Sequence, residues 1–465
     1  MSKRVSVVTL GCARNDVDSD ELAGRLKSDG WILTEDTDGA DAVLVNTCGF
    51  VESAKKDSID TILELSDGTK PVVAVGCLAQ RYGRDLAREL PEAAAVLGFD
   101  TYDRIGTSLD QIVAGESIES HEPGDRRKLL PITPVDRQDS TVATPGHEGH
   151  RVRLGIGPTE SLKIASGCDR RCTFCAIPSF RGSFVSRRPS DVLEEARWLI
   201  DEGVRELLLV SENSTSYGKD LGDLRLLETM LGELGALHPE VRVRPSYLQP
   251  AEMRPDLVSI IADSPGVAAY FDMSFQHASP TVLRRMKRFG GSEDFLRLVT
   301  QIRQTNAEAG IRTNVIVGFP GETDEEFQEL LDFISEAELD AVGVFGYSDE
   351  DGTAALELDN KIPDDVIAER VEEAVALVDI VSEGRAAARV GTAVDVLIEE
   401  VDEDQGVVLG RAEHQGPEDG GVTVSIADFG ARAQVGKIIR AEVRSNEGVD
   451  LFAKLLSDEQ IGATN

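Results

Sequence analysis

Apolar and polar positions fall into four successive patterns along the chain. From residue 1 to about 117, short apolar runs alternate with stretches of helical period. Val5 to Leu10, Asp41 to Asn46 and Pro71 to Val75 are rich in β-branched residues and nearly free of charge, as buried strands are. Asp18 to Lys27, Phe50 to Leu65 and Ala79 to Leu90 carry apolar residues at helical spacing. Asp18, Ser19 and Asp20 place acids and a capping hydroxyl at the start of the first of these helices. Strands alternating with helices of this length predict a parallel sheet. Between 118 and 157 the regularity lapses into a stretch rich in Pro, Gly, His, Ser and Thr, which reads as a linker with a short strand at Arg151 to Ile156.

Alternation resumes from 158 to 385. Strands are expected at Leu162 to Ala165, Glu206 to Val210, Val241 to Arg244, Tyr270 to Ser274 and Arg312 to Val317. Helices are expected near Ser190 to Glu202, Leu224 to Leu237, Ser279 to Lys287, Ser292 to Ala309 and Asp324 to Ala337. About six βα units fit, giving a full or partial α/β barrel whose chemistry sits at the carboxyl ends of its strands. From 386 to 457 only strands are expected, at Thr392 to Val401, Gly406 to Ala412, Gly421 to Ile426 and Lys437 to Val443, which read as a small β-barrel. Residues 458–465 form a tail. The fold class is α/β multidomain: a parallel-sheet domain over 1–117, a linker over 118–157, a barrel over 158–385 and a β-barrel over 386–457.

The 465 residues agree with about three domains at ~150 residues each. Hydrophobic residues at 41% and charged residues at 28% fit a folded chain and exclude a disordered one. The formal net charge of −36 repels phosphate backbones and anionic membranes, so a basic partner is favoured over nucleic acid. No apolar run approaches the ~18 residues of a spanning helix, and the start lacks a signal-peptide pattern, so a cytoplasmic location is expected. The six cysteines are too few to staple a chain of this size, and in a reducing compartment they read as ligands, nucleophiles or buried apolar residues.

Cys168, Cys172 and Cys175 form a C-x3-C-x2-C loop directly after a predicted strand, with Phe174 before the last cysteine. Three thiolates on one loop can hold three irons of a 4Fe-4S cluster and leave the fourth open to chelate a substrate, here S-adenosylmethionine. A zinc site with a distant fourth ligand is the alternative. Downstream, Ser211 and Glu212 end a strand, where the Glu212 carboxylate could accept from the cofactor's ammonium or be an ordinary turn acid. Gly318 and Glu322 lie in an Asn-Val-Ile-Val-Gly-Phe-Pro-Gly-Glu-Thr segment that reads as a cofactor-approach loop or a structural turn, with Thr323 capping the next helix. Cys12, Cys48 and Cys77 are 36 and 29 residues apart, too far for a local motif. Each follows a predicted strand, so a parallel sheet brings them to one edge, where α/β ligands bind. They read as a second 4Fe-4S site with an open iron, or as three buried structural thiols. Gln276 and His277 end another strand and face the barrel mouth, with His277 read as structural. Two basic clusters, one from Arg170 to Arg188 and one from Arg284 to Arg288, read as solvated surface or as contacts to cofactor, substrate or rRNA. His147 to His150 is a weak metal pattern in the linker.

With two three-cysteine sets in this order and a C-terminal barrel, nearly the whole chain resembles the radical S-adenosylmethionine methylthiotransferases, with an N-terminal methylthiotransferase domain, a radical domain and a TRAM-type barrel. Three segments resemble the RimO type, the ribosomal-protein branch: Leu10-Gly11-Cys12-Ala13-Arg14-Asn15-Asp16-Val17-Asp18-Ser19-Asp20, Met286-Lys287-Arg288-Phe289-Gly290, and Tyr347-Ser348-Asp349-Glu350-Asp351-Gly352-Thr353. The last departs from the branch's pattern in having Asp349 where proline is common. The resemblance implies two 4Fe-4S clusters on the six cysteines and contacts to S-adenosylmethionine from Phe174, Ser211, Glu212, Gly318 and Glu322. It implies substrate contact at Gln276 and Tyr347, and no catalytic side chain beyond the cluster ligands. The activity it implies is insertion of a methylthio group at the β-carbon of an aspartate in the twelfth small-subunit ribosomal protein, free or assembled. Two S-adenosylmethionine molecules are consumed, with a flavodoxin or ferredoxin type reductant. Residues 386–456 carry seven Lys/Arg against thirteen Asp/Glu, a net of −6, which suits a basic protein substrate better than RNA. A tRNA methylthiotransferase is the alternative within enzymes, and a non-catalytic iron-sulfur electron-transfer protein the alternative outside them.

Overall fold

The structure is a computed structural model describing residues 3–66, 68–131, 136–137, 144–147, 151–425, 427 and 433–456. The tail, His150 and parts of the linker fall outside the described residues.

The first unit runs β1 (Arg4–Thr9), α1 (Ala13–Ser28), β2 (Ile32–Leu33), β3 (Ala42–Thr47), α2 (Glu52–Leu65), β4 (Val72–Val75), α3 (Gly76–Glu89), β5 (Ala95–Val96) and α4 (Ile105–Val113). Its five strands are parallel in the order β2-β1-β3-β4-β5. β3 and β4 are buried at every residue, as central strands covered on both faces must be. β2 and β5 are two-residue edge strands, too short to stand out from the apolar pattern.

The second unit holds β6 (Thr159–Lys163), β7 (Ala165–Ser166), α5 (Ile177–Arg181), β8 (Val185–Ser186), α6 (Pro189–Asp201), β9 (Glu206–Val210), α7 (Leu226–Gly235), β10 (Arg242–Pro245) and α8 (Pro255–Asp263). It continues with β11 (Tyr270–Gln276), α9 (Pro280–Arg285), α10 (Ser292–Thr305), β12 (Gly310–Val317), α11 (Asp324–Ala337), β13 (Ala341–Gly346) and α12 (Asp364–Ala388). β6-β9-β10 and β11-β12-β13 are parallel three-stranded sheets, joined by parallel bridges Val243 to Val267 and Leu248 to Met273. Among the described residues no pairing joins β13 back to β6, so the barrel is partial. Its core packs Leu207, Val243, Phe271 and Ile311 under the helices, and Phe275 lies 4.5 Å from Phe295, ring centre to ring centre. Thr323 caps α11 in a reciprocal box with Glu326, as the sequence indicates.

The third unit is a closed barrel of β14 (Ala393–Asp402), β15 (Val407–Ala412), β16 (Val422–Ser425), β17 (Ile438–Glu447) and β18 (Asp450–Leu455) in the order β14-β15-β16-β18-β17. It docks on the amino ends of the partial barrel's strands. Glu206, at the start of β9, binds Arg242 at 2.5 Å, Arg244 at 3.0 Å and Arg411 of β15 at 2.9 Å, and Tyr270 at the start of β11 donates to Asp419.

One expectation fails. Among the described residues, Arg151 to Ile156 forms no strand and pairs with none. Arg151 instead spends its guanidinium on Glu195 at 2.9 Å and Glu160 at 3.5 Å, and the Val152 N–H donates to the Asp20 carbonyl, so this stretch straps α1 to the second unit. The β-barrel sits at the opposite end of the strands from the cysteines. Its acids Glu399 and Asp419 are paired inward with Arg411 and Arg312, so its charge cannot line the site described next.

Candidate active site

Cys12, Cys48 and Cys77 lie at the carboxyl ends of β1, β3 and β4. Glycine makes the approach close enough. A Cβ on Gly11, at φ +97°, would lie 2.8 Å from the Cβ of Cys48, and one on Gly76, at φ +87°, would meet Asn46 and the Thr47 backbone. Asn15, fully buried in the first turn of α1, ties the three loops together. Its Nδ2 donates to the carbonyls of Leu10 (2.8 Å) and Thr47 (3.1 Å), and its Oδ1 accepts from Cys77 Sγ at 3.5 Å.

The second set sits on the loop between β7 and α5, pinned by the Cys168 N–H to the Gly182 carbonyl and the Cys175 N–H to the Cys172 carbonyl. Among the described residues no three Cys, His, Asp or Glu side chains stand at metal-ligating spacing. The donor chemistry nonetheless suits iron-sulfur clusters. Each set is thiol-only, and cations are placed to offset thiolate charge. Arg14 Nε lies 3.4 Å from Cys12 Sγ, Arg181 Nη2 lies 3.1 Å from Cys77 Sγ, and Arg288 Nη1 lies 3.7 Å from Cys172 Sγ. Burial alone would raise the Cys12 thiol, but Arg14 and Arg181 outweigh it and hold it below its ordinary value. Burial pushes Cys77 up to about 11 and Cys175 up to about 12, and it raises Cys48 and Cys168 as well.

The same arginines bring the two sets to one seam. Arg14 reaches the Ser211 carbonyl at 3.4 Å and stacks on Tyr247 at 4.6 Å, both in the second unit. Arg181, in α5, reaches back to Asn15 at 2.8 Å and Asp18 at 2.8 Å, and lies 3.6 Å from Glu212. Lys163 pairs with Asp18 alongside. Arg181 is therefore buried, as is Arg187 on Glu195, which removes the solvated-surface alternative for these two.

Glu212 stands out at this seam. Its side chain is buried at the end of β9, and among the described residues neither carboxylate oxygen has a hydrogen-bond partner. A carboxylate left so is a place for a ligand's donors. Ser211 is buried beside it and hydrogen-bonded to Ser214 and Asn213. Phe174 packs partly buried against the barrel core. Glu322 turns into its own loop, accepting from the Gly318 N–H at 3.0 Å and from Arg370 at 2.6 Å, with His277 Nε2 3.2 Å away. Gly318 is crowded by Ile367. Gln276 ends β11 at φ +73°, and Tyr347 stacks edge-on against Phe319 at 5.2 Å and donates to Asp349. Asn15, Arg14 and Tyr247 carried no role in the sequence reading. The sequence signals for Asn15 are its place in the Leu10 to Asp20 segment and a polar residue on the buried side of a helix beside Cys12.

Comparison with known proteins agrees with this layout. Residues 4–98 match the Uncharacterized protein family UPF0004, residues 162–334 the Radical SAM superfamily and residues 390–456 the TRAM domain. The "Ribosomal protein uS12 methylthiotransferase RimO" of a Nocardioides species is 60% identical, with 97% of each chain covered. That of Saccharopolyspora erythraea is also 60% identical, over 97% of this chain and 95% of its own. The chain belongs to the RimO family of methylthiotransferases. A solved radical S-adenosylmethionine methyltransferase, TsrM from Kitasatospora setae, shares the fold at a TM-score of 0.53 and 16% identity, over 74% of this chain and 73% of its own. As a RimO family member with a radical SAM domain, the protein is an enzyme whose cofactors include S-adenosylmethionine and a 4Fe-4S cluster. Among the described residues no helix is long and apolar enough to cross a membrane.

Proposed function

We propose that the protein transfers a methylthio group to the β-carbon of an aspartate in ribosomal protein uS12, with Cys168, Cys172 and Cys175 holding one 4Fe-4S cluster and Cys12, Cys48 and Cys77 a second. The observation that carries this reading is the shared seam: Arg14 and Arg181 each touch one cysteine set and the strand-end residues that face the other. When bound, the cluster and S-adenosylmethionine supply a deoxyadenosyl radical able to take hydrogen from an unactivated carbon, and the second cluster supplies the sulfur carrier.

The chain's own residues bind, orient and exclude water. Glu212 offers a buried acceptor for the cofactor's ammonium. Tyr247, partly buried under Arg14, walls the seam. Gln276 and Tyr347 stand at strand ends where a substrate carboxylamide or carboxylate would enter. Glu322 and His277 hold the Gly318 loop in place and are positioning residues in this reading. A reductant of flavodoxin or ferredoxin type completes the scheme, and a cytoplasmic location follows from a ribosomal substrate.

The two sets have separable roles. Cys168→Ala should halve the iron bound per chain and abolish deoxyadenosine release. Cys12→Ala should halve the iron, spare deoxyadenosine release and eliminate sulfur transfer. Iron analysis with deoxyadenosine quantification on both variants checks this, and equal loss of deoxyadenosine in the two would overturn the division of labour.

A further inference from the structure

The turn after β13 touches both cysteine loops. Glu350 comes from the radical unit and is 6% exposed. Its Oε2 accepts from Lys55 Nζ of α2 at 3.0 Å and from Arg81 Nη1 of α3 at 3.1 Å. Arg81 also donates to the Asp351 carbonyl at 2.7 Å and to the carbonyl of Gly49 at 2.8 Å, the residue next to Cys48. At the far end of the same turn, the Ala355 N–H donates to the carbonyl of Thr173 at 2.8 Å, between Cys172 and Cys175. Thr353 closes the turn by donating its hydroxyl to the Glu350 carbonyl at 2.8 Å. Seven residues, Asp349 to Ala355, thus bridge the Cys48 loop to the Cys172–Cys175 loop. A carboxylate drawn out of water is retained when its cations are fixed around it, and here the cations and the acid belong to different units.

We propose that Glu350 is a positioning residue whose clasp on Lys55 and Arg81 sets the separation of the two cysteine loops. This rests on the proposed two-site transfer. Misplacement by about 1 Å between reacting centres costs on the order of 100-fold, so such a strut governs whether a radical made at one site meets the sulfur at the other.

The test uses full-length, cluster-loaded Glu350→Ala and Glu350→Gln, with Lys55→Met as an approach from the other side that leaves Arg81 in place. Iron content, the ratio of methylthio product to deoxyadenosine, and hydrogen exchange at residues 46–52 and 170–177 are measured together. Iron and deoxyadenosine release should stay within about twofold of wild type while the product ratio falls roughly tenfold or more in Glu350→Ala, less in Glu350→Gln. Exchange should quicken in both segments at once, as expected when one tie opens both. An unchanged product ratio with lowered thermal stability would make the clasp mere fold support, and quickened exchange on one loop alone would also overturn the proposal. If wild type made no methylthio product, the functional reading would fail while the exchange result still decided the strut.

Discussion

At the residue scale, the site depends on a few buried polar groups that face nothing apolar. Glu212 has the clearest consequence. A hydrogen bond to a charged group contributes about 1.5–3 kcal/mol, so Glu212→Gln should weaken S-adenosylmethionine binding by roughly 10- to 100-fold. Stability without ligand should change less than binding does, because among the described residues the carboxylate has no hydrogen bond to lose and its ion-pair contact, Arg181 at 3.6 Å, keeps Asp18 as a closer partner. Equilibrium binding with parallel thermal melts checks both halves. Asn15→Ala removes the tie among the Leu10, Thr47 and Cys77 segments and strands their buried polar atoms, at a cost of about 1–3 kcal/mol, read by denaturant unfolding. The cysteines were legible because spacing and strand ends are written in the sequence. Arg14, Asn15 and Arg181 were not, because their partners lie in another loop or another unit, and no local pattern says which arginine faces a thiol and which faces water.

At the element scale, α1 and the interface beneath the partial barrel hold the buried charge. α1 presents Asp18, Asp20 and Glu21 to Lys163, Arg181 and the backbone N–H groups of Gly146 and Leu154 rather than to solvent, so its acids are an interface and not only a helix start. At the other end of the barrel, burial would raise the Glu206 carboxyl, but Arg242, Arg244 and Arg411 outweigh it and hold it well below its ordinary value of 4.5. A depressed folded value means the unfolded chain binds the proton more readily. The stabilisation is therefore full above about pH 4.5 and is lost as pH falls below it. Proteolytic release of the C-terminal barrel should rise on acidification through that range. Glu206→Gln should bring release to neutral pH, since breaking a buried ion cluster from one side costs about 3–5 kcal/mol. Most elements were legible from period alone, α11 to the residue. β13, α8, α12 and β18 were not. The Ala341 to Gly346 run holds two glycines, and α12 buries Arg370 and Ser382 while exposing Val375 and Ile380, so neither shows a clean stripe.

At the scale of the whole molecule, three units stack so that chemistry faces one end of the partial barrel and the β-barrel seals the other. A net charge of −36 then acts as a long-range field and not as a lining of the site. Capture of a basic ribosomal protein should accordingly weaken with salt: the apparent KM should rise several-fold between about 0.05 and 0.3 M ionic strength, with kcat little changed, as screening lengths shorten to below ~10 Å. The fold class and order of units were legible in the sequence. The seating of the β-barrel was not, because it is decided by Glu206 meeting three arginines from two strands, β10 and β15, of two units.

The central claim is that two cysteine sets at one seam deliver a methylthio group to a protein and not to RNA. Its most direct test is a mass spectrum after anaerobic reaction of the cluster-loaded protein with reductant, S-adenosylmethionine, small ribosomal subunits and tRNA in one mixture. The account predicts a gain of one methylthio group on a single aspartate-containing peptide of uS12, absent with Cys12→Ala. A gain on tRNA nucleosides, with uS12 unchanged, would contradict it.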